Sequence, residues 1–374
     1  MSISVAERAE LREVVRQLVE RRSSEPDVRR VMASSTGHDV ELWATMAGEI
    51  GLQGLAVPEE HGGAGAGWAE VAVVMEELGR APACVPFLAT VGLALPALIA
   101  AGGEATRWLP GIADGTLVAT AAVLGAPRTG PDDVPVTAER VGGQWFLSGT
   151  ERYVLDGAGA DLVLVPACSG DQVGLFALEG GRGLSVETVR TSDQTRRFAH
   201  LTFDHAPAAV VGAVDDGLQL VDRAREIATL LLAWEQVGGA SATLDMAVAH
   251  ARTRHQFGRP IGSFQAVKHL CADMLVAIET ARAAAWGLLR SVQAETDDLG
   301  LVTAIARTVC SERYDFCATT NVQVHGGIAF TWEHPAHLHL KRSRGSAVLL
   351  GSALDNRELL TGLVPVLTTT KGSG

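Results

Sequence analysis

Apolar residues fall on two different periods along this chain. Leu231, Trp234, Val237 and Leu244 lie on broadly helical spacing within the stretch from Ala228 to Thr253. Phe264, Val267, Leu270, Cys271, Met274, Leu275 and Ile278 follow the i, i+3, i+4, i+7 rule of a helix with one buried face. Gly258, Pro260 and Gly262 break the chain between the two helices. From about Leu117 to Gly212 the texture changes to short β-branched runs, such as Val163-Leu164-Val165 and Val173-Gly174-Leu175-Phe176, separated by Gly, Asp and Pro. That pattern predicts antiparallel strands closing into a small barrel. Before it the chain is Ala- and Leu-rich helix, and beyond Asp215 long apolar-periodic helices return to about Leu363, which is bundle texture.

The fold class that follows is α+β multidomain. An all-α N-terminal domain is expected over 1–116, a central antiparallel β-barrel domain over 117–213 and a C-terminal four-helix bundle over 214–366. The polar, Gly/Ser-containing end, 367–374, is expected to be disordered.

With 47% hydrophobic residues in 374, the chain can bury the cores of two or three domains. Its Lys+Arg total of 31 against 43 Asp+Glu gives a net charge of −12, and the chain has no long basic run, so no footprint for nucleic acid exists. Val85 to Ala101 is apolar but shorter than a membrane span and carries Pro86 and Pro96, which predicts a buried helical hairpin. Met1 to Glu20 alternates charged with apolar residues and has no apolar signal core, predicting an amphipathic helix in a cytoplasmic protein. Cys84, Cys168, Cys271, Cys310 and Cys317 form no Cys-x-x-Cys pair and read as core residues in a reducing compartment.

The richest passage is Arg254-x-Gln256-Phe257-Gly258-x-Pro260-Ile261-Gly262-x-Phe264-Gln265. A guanidinium at the end of a helix can bond a diphosphate through parallel N–H donors, which an ammonium cannot imitate. Arg254 alone could equally be a solvated helix terminus favoured by the dipole; the full spelling of the turn argues otherwise. The passage resembles the flavin-holding signature of the acyl-CoA dehydrogenase family, whose arginine and neighbouring glutamine or threonine reach the FAD of the adjacent subunit. Gln323-x-x-Gly326-Gly327-x-x-Phe330 resembles that family's Gln-x-x-Gly-Gly segment, which approaches the same FAD. Glycine suits such a place because a residue without Cβ lets the main chain lie against a cofactor. Gly51-Leu52-x-Gly54-Leu55 through Gly65, followed by Met75-Glu76-Glu77-Leu78-Gly79, is similar to the family too. Its glycines read as turns, because no Gly-Lys-Ser/Thr follows them. The resemblance thus covers nearly the whole chain and implies FAD as cofactor, an acyl-CoA substrate and cofactor-binding roles for Arg254, Gln256, Phe257, Gln323, Gly326 and Gly327. His325, His334, His337 and His339 crowd the second motif, but three of them fall within six residues around Pro335, which disfavours convergence on a metal.

The family's reaction takes a proton from the carbon beside the thioester while hydride leaves the next carbon, and a glutamate is the base. Counted from Gly326-Gly327, the usual position is Leu350, and a leucine cannot accept a proton. The alternative position, on the helix before Arg254, is Ala228. Glu226 points about 200° away around that helix, while Glu235 is near the same face but roughly 10 Å along the axis. No catalytic residue is therefore assigned, and Glu235 stands as an outside candidate against the reading of a carboxylate paired with an arginine. The polar side chains that hold the flavin ring in the family are missing as well, with Val123-Leu124-Gly125 and Tyr153-Val154-Leu155-Asp156 in the corresponding stretches.

The chain keeps what a subunit lends to a neighbour and lacks what it would use itself. That asymmetry is similar to the non-catalytic subunit of the paired α2β2 acyl-CoA dehydrogenases of actinobacterial sterol side-chain degradation. It implies a glutamate-bearing homologue as partner in a heterotetramer, and admits an electron-transfer flavoprotein as redox partner. Three other readings stay open: a stand-alone dehydrogenase using Glu235, a same-fold flavin-dependent monooxygenase that needs no glutamate, and a cofactor-free scaffold.

Overall fold

The computed structural model of the protein describes residues 4–363, apart from Ala126 and Asp297; the expected tail lies outside them. Six helices come first: α1 (Val5–Arg22), α2 (Glu25–Met32), α3 (Val40–Thr45), α4 (Trp68–Arg80), α5 (Leu95–Ala101) and α6 (Leu109–Ala113). Ser4 opens α1 with a capping box shared with Glu7, and Asp39 opens α3 by accepting the Leu42 N–H, so orphan donors are met by local side chains. The apolar stretch expected as a hairpin is instead one buried rod, a π-type helix over Leu88–Ala94 running straight into α5. Pro96 explains the form: it has no N–H to offer the preceding turn, and the wider turn before it absorbs that loss.

Seven strands follow: β1 (Ala119–Ala121), β2 (Val136–Val141), β3 (Gln144–Leu155), β4 (Leu162–Ser169), β5 (Gln172–Glu179), β6 (Leu184–Val189) and β7 (Phe198–Val211). The pairings run β4–β2–β3–β7–β5 and back to β4, closing a five-stranded barrel, with β1 added on β4 and β6 on β7. The expected all-antiparallel barrel is corrected here, because β1–β4 and β2–β4 are parallel. Alternation along a strand reports its buried face and carries no information about the direction of its neighbour, and β4 meets both partners through long crossovers.

The C-terminal part holds α7 (Gly217–Thr253), the short hairpin β8 (His255–Gln256) and β9 (Arg259–Pro260), α8 (Gln265–Ala294), α9 (Leu299–His325), α10 (Ala336–Ser346) and α11 (Ala353–Leu363). The three long helices pack on one another, and two short helices, α10 and α11, both lie on α9 where a single fourth helix was expected. Helices α4 and α7 cross backbone against backbone. A Cβ on Gly238 would sit 1.8 Å from the Glu76 carbonyl oxygen, and one on Gly79 would sit 2.2 Å from that of Glu235. Glycine at both positions is what brings the middle of α7 into the N-terminal core. Glu76, itself buried, is tied to Arg12 of α1 at 2.5 Å and to Arg282 of α8 at 2.6 Å, joining three elements around one carboxylate.

Candidate functional site

The first group of residues gathers at the far end of α7. Arg254 closes the helix through its N–H to the His250 carbonyl, and its own carbonyl accepts from Ile261, pinning the hairpin across its base. At the tip, Phe257 (φ 53°) and Gly258 (φ 78°) take left-handed conformations, which is costly for a phenylalanine unless the turn is wanted. Phe257 is 91% exposed, and Arg254 and Gln256 are exposed as well. Among the described residues the Arg254 guanidinium makes no ion pair. Gln323, Gly326 and Gly327, at the end of α9 and the turn after it, are also exposed. A Cβ at Gly326 or Gly327 would meet nothing within 4 Å, although Gly326 has φ +67°. Packing inside this chain therefore does not require glycine at 327, and an external molecule against the main chain would.

The two motifs are joined by imidazoles. His250 of α7 lies 4.3 Å from His325 of α9 and His325 lies 4.3 Å from His334, measured between ring centroids. Burial lowers all three pKa values below the usual histidine range, so the rings are neutral near pH 7. His337 packs on Trp332 and His339 bonds Tyr314 at 3.0 Å, so the crowded histidines take separate structural roles.

A second region lies between the barrel and α10. A cavity of about 550 Å³ is lined by Leu124, Gly125, Tyr153, Phe198, Val348 and Leu349 on its apolar side, with Ser192, Asp193 and Arg344 at other points. Leu124, Gly125 and Tyr153 belong to the stretches where a flavin ring would need polar side chains. Here the wall is mostly hydrocarbon.

Both base positions are buried: Ala228 is 0% and Leu350 5% exposed. Arg225, three residues before Ala228 on α7, reaches the main chain at Leu350. Its guanidinium donates to the carbonyls of Val123 at 2.5 Å, Gly125 at 3.0 Å and Leu350 at 3.3 Å. The Gly125 N–H adds a bond to the Leu349 carbonyl at 3.2 Å. Burial pushes the Arg225 pKa down to about 10, still cationic at neutral pH. Glu226 points elsewhere and pairs with Arg223 at 2.8 Å.

Glu235, the outside candidate, is 2% exposed and fully engaged. One carboxylate oxygen accepts from Arg196 and the other from Arg342 Nε at 3.1 Å. Arg342 also donates to the Thr195 hydroxyl at 2.8 Å, and Arg196 to that of Ser346 at 2.8 Å. This network, with Met75, Leu78, Phe87 and Leu88, leaves a cavity of only about 20 Å³ beside Leu155 and Asp156, the volume of a water molecule. Both Glu235 oxygens are thus held by guanidinium groups. Sequence reading missed Arg225 and Arg342; the one signal available was an arginine placed inside an otherwise apolar helical face.

Comparison with known proteins follows the same lines. The family models for the N-terminal and C-terminal domains of acyl-CoA dehydrogenase match residues 6–116 and 215–359. The chain is similar to acyl-CoA dehydrogenase IpdE2 of Mycobacterium tuberculosis, 38% identical over 357 residues, 96% of this chain and 96% of that protein. Among solved structures, a steroid ACAD, Tcur3481-Tcur3483, is 32% identical with a TM-score of 0.86, covering 96% of this chain and 97% of that one. The ChsE4-ChsE5 complex from Mycobacterium tuberculosis is 28% identical with a TM-score of 0.87, covering 97% and 99%. In the described residues no helix is long and apolar enough to cross a membrane.

Proposed function

The chain belongs to the acyl-CoA dehydrogenase family, whose members bind FAD, and from that premise we propose that it is the non-catalytic subunit of a heteromeric acyl-CoA dehydrogenase. One observation carries the reading: both positions that correspond to the family's base are buried apolar residues, Ala228 and Leu350, and the main chain at Leu350 is bonded by a cation, Arg225. A cation there cannot accept the proton that leaves the carbon beside a thioester. FAD, when bound, supplies the hydride acceptor of the family's reaction.

The residues of this chain fit one half of that cofactor. Arg254 offers an unpaired guanidinium for a diphosphate, Gln256 and Gln323 offer exposed amides, Phe257 an aromatic face, and Gly326 and Gly327 an unobstructed main chain. They are exposed, and none of them lines the cavity beside the chain's own barrel, as expected of groups lent to a neighbour. That cleft, walled by Leu124, Tyr153 and Leu349, offers a flavin ring few polar partners. The partner on this reading is a glutamate-bearing homologue that holds the ring and removes the proton from an acyl-CoA. The similarity to a steroid ACAD and to the ChsE4-ChsE5 complex supports a paired enzyme acting on a steroid or other lipid thioester. A stand-alone dehydrogenase would need Glu235 free, and both its oxygens are held by guanidinium groups.

The test is purification of the chain alone and together with a glutamate-bearing homologue. The chain alone is expected to be nearly colourless, and the mixed complex yellow, with one flavin for each pair of unlike subunits. Full flavin occupancy with acyl-CoA oxidation by the isolated chain would overturn the assignment.

A further inference from the structure

Two sequence motifs, one before α8 and one at the end of α9, would act on one cofactor on the function proposed above, and three imidazoles in a row, tilted by 31° and 48° to one another, join their ends. His250 precedes Arg254 by one helical turn; His325 lies two residues beyond Gln323 and directly before Gly326. The ring centroids are 4.3 Å apart at both steps, from His250 to His325 and from His325 to His334. Hydrogen bonds fix the middle ring and one end. The His325 Nδ1–H donates to the Asn321 carbonyl at 2.9 Å, and His334 Nδ1 accepts the Ala336 N–H at 3.2 Å.

Resting on the function proposed above, we propose that His250, His325 and His334 are positioning residues that join the two halves of the clasp into one unit, and that protonating the stack loosens its hold on the flavin. Neutral rings can lie at this separation, whereas two imidazolium ions there repel. The charged groups that face the stack are Arg254 beside His250, and Arg29 and Glu25 of α2 beside His334. Two of these three are cations, which further oppose protonation. Burial acts in the same direction, holding all three pKa values low. With the folded pKa below the unfolded one, the stack's contribution is present above the ordinary histidine pKa of about 6.5 and is lost as pH falls below it. A positive charge added next to Arg254 would, by attraction alone, tighten a diphosphate. The direction of the pH effect therefore separates positioning from simple charge attraction.

The experiment uses the mixed complex and reads flavin released from pH 8 to pH 5.5 by its fluorescence, each variant normalised to its own value at pH 8. Wild type should lose flavin on acidification, while His250→Phe, which keeps a ring and removes a titrating group, should show a clearly shallower acid limb. His250→Ala should hold flavin roughly ten-fold more weakly at pH 8, with the phenylalanine variant recovering part of that loss. Flavin held more tightly at low pH, or an acid limb unchanged in His250→Phe, would overturn the proposal. A second arm does not depend on the cofactor: in the isolated chain, His250→Ala should speed amide exchange both in the 255–260 hairpin and in the 326–330 turn. Faster exchange in the hairpin alone would show that the stack does not couple them. Failure of the heteromer reading would appear separately, as absence of flavin from every complex at pH 8.

Discussion

Arg225 donates to the Leu350 carbonyl at 3.3 Å while standing one turn before Ala228 on α7. A cation thus stands beside the main chain at one of the two positions that correspond to the family's glutamate base. A carboxylate near this guanidinium would have its pKa lowered instead of raised toward neutrality, which is the wrong direction for a base.

Leu350→Glu is accordingly expected to give no acyl-CoA oxidation in the isolated chain, measured by dye reduction with added FAD. The variant supplies a carboxylate but not the polar ring-holding side chains. Turnover by that single variant would show that the missing glutamate was the chain's only deficit.

Arg225→Ala removes one cation that satisfies the carbonyls of Val123, Gly125 and Leu350. Stability should fall by about 1–3 kcal/mol, since the buried carbonyls of Val123 and Leu350 lose charge-assisted bonds, while the exposed Gly125 carbonyl can turn to water. Denaturant unfolding checks this. A loss below about 0.5 kcal/mol, the usual range for surface substitutions, would mean the three bonds are dispensable.

Asp156 carries a pH dependence of its own. Burial raises its pKa from 3.8 to about 7, against the opposing pull of Arg196, Arg342 and Arg197. A carboxyl group whose folded pKa is raised favours the folded state most below its unfolded pKa, and that contribution is lost as pH rises through the folded value. Asp156→Asn should therefore be more stable than wild type at pH 8, with the difference shrinking to nothing near pH 4. Urea midpoints across that range test it, and a constant difference at all pH values would contradict it.

Much of this molecule could be read from periodicity. The helical spacing around Trp234 and Met274 became α7 and α8, and the β-branched runs became β4 and β5. Strand direction could not be read, because parallel β1–β4 pairing depends on crossovers and leaves no mark on alternation. The clasp motifs were legible because a guanidinium, an exposed aromatic and paired glycines at a turn are unusual for a helix end. Arg225 and Arg342 were not, since their roles depend on carbonyls and carboxylates far away in the chain, Leu350 and Glu235. Likewise, the joining of His250 to His325 across 75 positions has no local signature. Leu350 and Ala228 could be placed from the motifs, but the arginine that bonds the main chain at Leu350 could only be found in three dimensions.

Glu235→Gln separates structure from catalysis. Its carboxylate pairs with Arg196 and Arg342, all nearly excluded from water, and removing the charge leaves two buried cations with only Asp193 and Asp156 to balance them. A loss of about 3–5 kcal/mol is the usual cost of breaking such a pair. Turnover per bound flavin in the folded mixed complex should stay unchanged. Abolished turnover with flavin still bound would make Glu235 a base and the chain catalytic.

Arg254→Ala tests the lent half of the cofactor site most directly. The guanidinium has no ion-pair partner among the described residues and stands exposed beside an exposed Phe257, so its removal should cost the isolated chain little stability. In the mixed complex a charge-assisted bond to a desolvated phosphate disappears, worth about 1.5–3 kcal/mol, or roughly ten- to a hundred-fold in flavin affinity. Arg254→Lys should recover part of this, because an ammonium keeps the charge and loses the parallel pair of donors. Flavin titration of the apo-complex, followed by quenching of its fluorescence, measures each step. Equal affinity in wild type and Arg254→Ala would remove this residue from the cofactor site, and with it the main support for a clasp reaching across to a partner.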